Sequence, residues 1–399
     1  MVNPLLPEGR AFLPLLHDTA SAVEYEAEGE IRTFRLPETE GEDGFIAVRR
    51  IVYTGAFTAV RLEVLNRSQK PISVRKLVVL EVGGDALKLE GPFSSWRFYQ
   101  NGWQSWSPAF ARLVSDGLHV DPATDAYRRM HKPHPDPAGA RRLSSEWFTV
   151  IAPPAGLSLL AGFVTSARQL GEIALELSNR KGVARFLACC YSDGFPLQPR
   201  EKLLSEELAL ACGDDPCELA EVYASLWGEK MQARKARPFT GWCTWYYFYG
   251  ENTEEEVLKC VRRAREFALP IEYIIVDDGY QRAIGDWLDV NPDKFPSGMK
   301  FLAEEIKKAG FRPALWVAPF AAGENSSLFS EHPDWILRDE EGEPVLAWEH
   351  WGVPCYGLDL SVPEVQRWLK ELFSTLHRGW GYEFFKPVSY THLRAHETV

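Results

Sequence analysis

At 399 residues, with 45% hydrophobic and 25% charged residues, the chain has room for two or three domains with substantial cores. Its formal net charge of -12 argues against nucleic acid or an anionic membrane surface as partner, because both need a basic face. No stretch approaches the roughly 18 apolar residues of a membrane span, and Met1 to Asp18 lacks the basic-then-apolar order of a secretory leader, so a cytoplasmic location is expected. The seven cysteines show no paired spacing, and Cys212 and Cys217 lack histidines at ligand distance, so reduced thiols, no metal and no cofactor are expected.

From about residue 20 to 225 the chain reads as β. Runs such as Phe57 to Val64 and Val74 to Val82 alternate or are β-branched, and Gly, Pro, Asn and Asp punctuate them, which predicts an antiparallel sandwich. Glu218 to Met231 has Leu219, Tyr223 and Leu226 at helical spacing. Lys235-Ala236-Arg237-Pro238 is the expected boundary, giving an N-terminal β-domain over 1–235.

After Pro238 strands alternate with helices, as in a barrel of βα units. The expected strands are Thr240 to Tyr246, Ile271 to Val276, Phe311 to Ala318 and Tyr382 to Lys386. One helix opens on the capping box Thr253-Glu254-Glu255-Glu256, a second runs from Met299 to a stop at Gly310, and a third opens on a capping box at Ser361-Val362-Pro363-Glu364 and ends near His377. Residues 320–360 exceed ordinary loop lengths and are expected to form a lid or small subdomain. Four strands make half a barrel, so the fold class read here is an antiparallel β-sandwich followed by the first half of a (β/α)8 barrel over 236–386.

The second strand, Ile274-Ile275-Val276, stops on Asp277-Asp278-Gly279, at the end where such barrels build their active sites. A lone Asp-Asp serves equally well as a helix cap beside a solvated carboxylate, but the other strand ends carry Trp245, Tyr246, Trp316 and Lys386. Paired carboxylates beside a lysine can hold vicinal hydroxyls, and indole rings stack on the apolar face of a sugar, so the set reads as a monosaccharide pocket. The fourteen tryptophans, clustered at 96–106, 242–245, 335–351 and 368–380, suit the same purpose, although for any one of them core packing is the simpler account.

The stretches Gly241-Trp242-Cys243-Thr244-Trp245-Tyr246, Val276-Asp277-Asp278-Gly279-Tyr280, Gly285-Asp286-Trp287, Leu315-Trp316-Val317-Ala318-Pro319, His332-Pro333-Asp334-Trp335, Leu358-Asp359-Leu360-Ser361 and Phe384-Phe385-Lys386 resemble glycoside hydrolase family 36, the melibiase-type α-galactosidases. Asn101-Gly102-Trp103-Gln104-Ser105-Trp106 resembles the loop that the family's β-domain sends into its active site. The resemblance implies a retaining glycosidase acting on terminal α-galactosyl groups of oligosaccharides through a nucleophile and an acid/base. It implies that Asp277 and Asp278 hold galactose hydroxyls with help from Lys386, that Trp316, Trp245 and Tyr246 line the pocket, and that Trp106 closes it.

The chain departs from the family where the nucleophilic aspartate is expected, one apolar residue beyond Lys386, because position 388 is Val388. Asp286 and Asp359 match neither catalytic role, and the acid/base would lie beyond the chain, so no catalytic residue is assigned. Residues 387–399 neither continue the strand nor match the family, and they read as a non-native tail on an N-terminal piece of a longer enzyme, inactive as it stands. The alternatives are a galactose-binding remnant without activity and a galactosyl-transferring relative like the raffinose synthases. Aglycone preference and oligomeric state are not legible, and a homo-oligomer is compatible with the sequence.

Overall fold

The computed structural model describes residues 19–36, 39–54, 57–102, 107–118, 140–178, 182–234, 236–339 and 341–387. Val388, residues 389–399 and Trp106, which carried expectations above, lie outside them, whereas Pro387, expected to begin the tail, continues the last strand opposite Val317. The chain divides into two units, Met1–Lys235 and Ala236–Val399.

In the first unit, β-branched alternation is converted into two antiparallel sheets of six and nine strands. Thr58–Asn66 alternates buried and partly exposed residues from Val60 onward and joins the nine-stranded sheet, while Ile72–Gly83 sits in the six-stranded one. Their inward side chains meet in one core that includes Val64, Val79, Phe98, Phe163, Phe186 and Leu210. Trp96 belongs to this core, its indole N–H donating to the Glu90 carbonyl at 2.8 Å, so one of the clustered tryptophans is structural. The predicted helix is Pro216–Lys230, capped by the Asp215 carboxylate, and it buries Leu219 and Tyr223 against the sheet.

The second unit is half of a (β/α)8 barrel. Its parallel sheet runs in sequence order through Gly241–Cys243, Tyr273–Val276, Arg312–Val317 and Phe384–Pro387. Three helices, Glu254–Glu266, Gly298–Lys308 and Pro363–Ser374, provide the crossovers. Thr253 caps the first, accepting the Glu256 amide at 3.3 Å. Gly310 follows the second at φ +93°, a conformation glycine adopts without strain. No helix among the described residues is long and apolar enough to cross a membrane.

Two expectations need correction here. The first strand stops at Cys243 instead of reaching Tyr246, because the amides of Tyr247 and Phe248 turn back onto the Thr244 carbonyl and Trp245–Phe248 coils into a helical turn. The capping box at Ser361 does not form. Pro363 takes the first helical position, where its missing N–H costs nothing, so Val362 becomes the cap and the Ser361 hydroxyl donates to Asp359 at 2.6 Å. The 320–360 stretch forms a subdomain with its own antiparallel sheet, Ala321–Gly323, Val353–Gly357 and Leu346–His350, with the short helix Ser327–Glu331 beside it.

Candidate active site

The carboxyl ends of the parallel strands set the site. Register places Cys243 beside Ile275 on one flank of the second strand, and Trp316 beside Lys386 across the third and fourth. Asp277 and Asp278 follow directly on the second strand, each only 2% exposed. A pair of charges buried that deeply has to be compensated by donors, and the structure supplies them separately to each carboxylate.

Asp277 receives the Lys386 ammonium on Oδ2 at 2.7 Å and the Cys243 thiol on the same oxygen at 3.1 Å, while Oδ1 takes the Asp278 amide at 3.0 Å. Burial alone would lower the Lys386 ammonium, but the hydrogen bond and charge of Asp277 outweigh it and hold it above its usual range. Burial, with the Asp277 charge adding to it, pushes the Cys243 thiol up to about 12, so the sulfur is a protonated donor and not a nucleophile.

Asp278 is held by three side chains. Gln281 Nε2 reaches Oδ1 at 2.6 Å, and His350 Nε2 and Trp351 Nε1 converge on Oδ2 at 3.0 and 3.1 Å. Burial would raise this carboxyl, yet the His350 contact and the Gln281 and Trp351 hydrogen bonds bring it below its ordinary value. Behind the pair, buried Asn252 donates to the Asp278 carbonyl at 2.8 Å and to Thr244 Oγ1 at 3.1 Å, and Thr244 accepts the Asp277 amide at 2.8 Å. These bonds fix the backbone on which both carboxylates stand.

Of the residues singled out from sequence, Asp277, Asp278, Lys386 and Trp316 are close neighbours. Trp316 is buried edge-on to Trp287 at 5.6 Å and parallel to the His350 ring at 6.3 Å. Tyr246 lies on the helical turn, not a strand end, with its ring 79% exposed and the Lys386 ammonium 5.9 Å from its centre. Trp245, on the same turn, packs against Tyr249 and Trp351. Asp286 and Asp359 have local duties: Asp286 accepts the Ser327 and Leu328 amides at the start of a helix, and Asp359 accepts the amide and hydroxyl of Ser361.

Sequence reasoning did not single out Cys243, Asn252, Gln281, His350 or Trp351. Gln281 sits three residues beyond Asp278, a spacing that could have drawn notice. His350 and Trp351 come from a hairpin 72 and 73 residues further on, with Trp351-Gly352 as its two-residue loop at φ +49° and +83°.

The melibiase family model matches residues 218–394. α-Galactosidase AgaA of Geobacillus stearothermophilus is 32% identical over 155 residues, covering 36% of this chain and 21% of that protein. An Escherichia coli α-galactosidase is 29% identical over 138 residues, or 33% of this chain and 18% of its own length. Among solved structures, the α-galactosidase TtGalA of Thermus thermophilus in complex with stachyose superposes with a TM-score of 0.60 at 29% identity, covering 88% of this chain and 67% of that one. The chain therefore matches only about a fifth of the length of these curated relatives. Residues 218–394 thus match the melibiase family model, and in sequence and fold the chain is similar to α-galactosidases.

Proposed function

We propose that the whole protein is a retaining α-galactosidase that removes terminal α-galactosyl units from oligosaccharides, and that this chain carries its galactose-recognition half. The observation behind the reading is the Asp277–Lys386 pair at 2.7 Å beside Asp278, at the carboxyl ends of adjacent parallel strands inside the melibiase-like segment. In this reading Asp277, Asp278 and Lys386 hold the galactose hydroxyls, Trp316 packs on its apolar face, and Trp245 and Tyr246 form the rim. The two units then correspond to a β-domain over 1–235 and the first four βα units over 236–386. All seven cysteines are free, which fits a reducing compartment and a cytoplasmic home.

Val388 stands where the family resemblance expects the nucleophile, and this favours a second reading of the chain as given: it binds galactose without cleaving it. Calorimetric titration of the 399-residue chain with D-galactose, alongside an assay for release of an aryl group from an aryl α-galactoside, tests both. A binding step that is lost in Asp277→Asn, without turnover, is the expected result. Turnover by this chain would refute the role given to position 388, and absence of binding would refute the galactose site.

A further inference from the structure

A second feature of this unit lies on the other side of Asp278. Tyr249, Gly250, Asp278, Gln281, Asn291 and Trp351 are among the residues around a cavity of about 450 Å³, to which Asp277, Lys386 and Trp316 do not contribute. Its floor is built and not incidental. Gly279, at φ +111°, lets the Gly250 backbone approach so closely that a Cβ there would sit 2.3 Å from the Gly250 oxygen, and Lys294 donates to that same oxygen at 2.7 Å.

Its two aromatic walls are held in backbone conformations that bulky residues avoid. Tyr249 has φ +50° and Trp351 φ +49°, and the two residues are 57% and 66% exposed. Residues forced into this region cluster at functional sites, because surrounding structure must hold them there. The charges in the lining nearly cancel. Lys294 is 3.4 Å from Glu251, and Arg282 pairs at 3.2 Å with Asp289 just outside. Together with the carboxamides of Asn291 and Asn325, two partly exposed aromatic residues and balanced charge match a neutral polyhydroxylated ring and not an anion.

We infer that this cavity is a subsite for a second neutral hexose unit, separate from the galactose held by Asp277 and Lys386. The inference rests on the saccharide reading above for its ligand class, but apart from Asp278, which borders both sites, it concerns different residues. Asp278 is the partition between the two sites, with Gln281 bound to one oxygen and the Trp351–His350 hairpin to the other.

Side-chain amide signals of Asn291 and Asn325, and the indole signal of Trp316, followed by NMR as D-galactose is added to the full chain, separate the two sites. The expected result is two sets of shifts. The asparagine set survives Asp277→Asn and weakens at least tenfold in Tyr249→Gly, whose melting temperature is unchanged or raised because glycine relieves the backbone strain. A merely structural Tyr249 would instead lower the melting temperature and leave the asparagine shifts intact, overturning the inference. Asn325→Leu, at an exposed position, gives the same loss of binding without disturbing the core. Asparagine signals that ignore galactose, or that answer inorganic phosphate in its place, also overturn it. Trp316 shifts without asparagine shifts would leave the galactose site standing and remove only the second one.

Discussion

Replacing Lys386 by methionine isolates the interaction on which the galactose site depends. Asp277 then keeps the Asp278 amide and the Cys243 thiol, a weak donor, but loses the ammonium at 2.7 Å. Removing one partner of a buried ion pair costs about 3–5 kcal/mol because the other charge is stranded. The Lys386 side chain is 28% exposed, so screening by water points to the lower end, about 3 kcal/mol. For a unit of this size each kcal/mol moves the melting temperature by roughly 2–4 °C, so Lys386→Met lowers it by about 6–12 °C. Asp277→Asn in the same chain removes the stranded charge and recovers most of the loss. Calorimetry of wild type, both single variants and the double variant gives the coupling directly. A Lys386→Met cost below about 1 kcal/mol, with no recovery in the double variant, would refute the claim that burial makes this pair matter. The pH dependence follows from the raised ammonium: its contribution is fully present below its unfolded value, near 10.4, and is lost as pH rises through the higher folded value. Wild type therefore loses this term only in strong alkali, and Lys386→Met shows no such loss.

Three further outcomes are expected. His350→Phe removes a donor that holds the Asp278 carboxyl low, and because a depressed carboxyl stabilises the fold above its unfolded value and stops doing so as pH falls through the folded one, the acid unfolding limb followed by circular dichroism moves to higher pH. An unmoved limb would mean that Gln281 and Trp351 suffice. Gly279→Ala costs about 3 kcal/mol or more in urea unfolding, because strain at φ +111° adds to the clash with Gly250, whereas Gly298→Ala, at φ +79° with open space around it, costs only about 1 kcal/mol. Equal costs would show that the close approach of Gly250 is dispensable. Asn252→Ala strips buried donors from Thr244 and the Asp278 carbonyl and destabilises the unit by about 1–3 kcal/mol in the same measurement.

Much of the second unit was legible because local signals and global fold agree. A β-branched run ending on Asp277, a Gly310 stop at φ +93° and a threonine cap at residue 253 each carry their own physical reason, and tertiary packing does not contest them. Where packing did contest, the local reading lost. Trp245, Tyr246 and Tyr247 have high strand propensity, yet the chain coils at Thr244, whose side chain is tied to the Asp277 amide and to Asn252. Nothing within the aromatic run announces a partner more than thirty residues away.

The half of the site that completes Asp278 was hidden for a related reason. A two-residue hairpin loop is ordinarily signalled by Asn-Gly or Asp-Gly, whose first residue tolerates a positive φ, and Trp351-Gly352 gives only the second half of that signal. The tryptophan is tolerated there because its indole N–H has a buried carboxylate to reach at 3.1 Å and its ring has Trp245 and His350 as neighbours. A residue so poorly suited to its backbone position is explained by what its side chain contacts, and those contacts exist only after the strand bearing Asp278 and the hairpin bearing Trp351 have been brought together. Asp277 and Lys386 could be paired by motif because both end barrel strands, whereas Asp278 and Trp351 could be paired only by the fold.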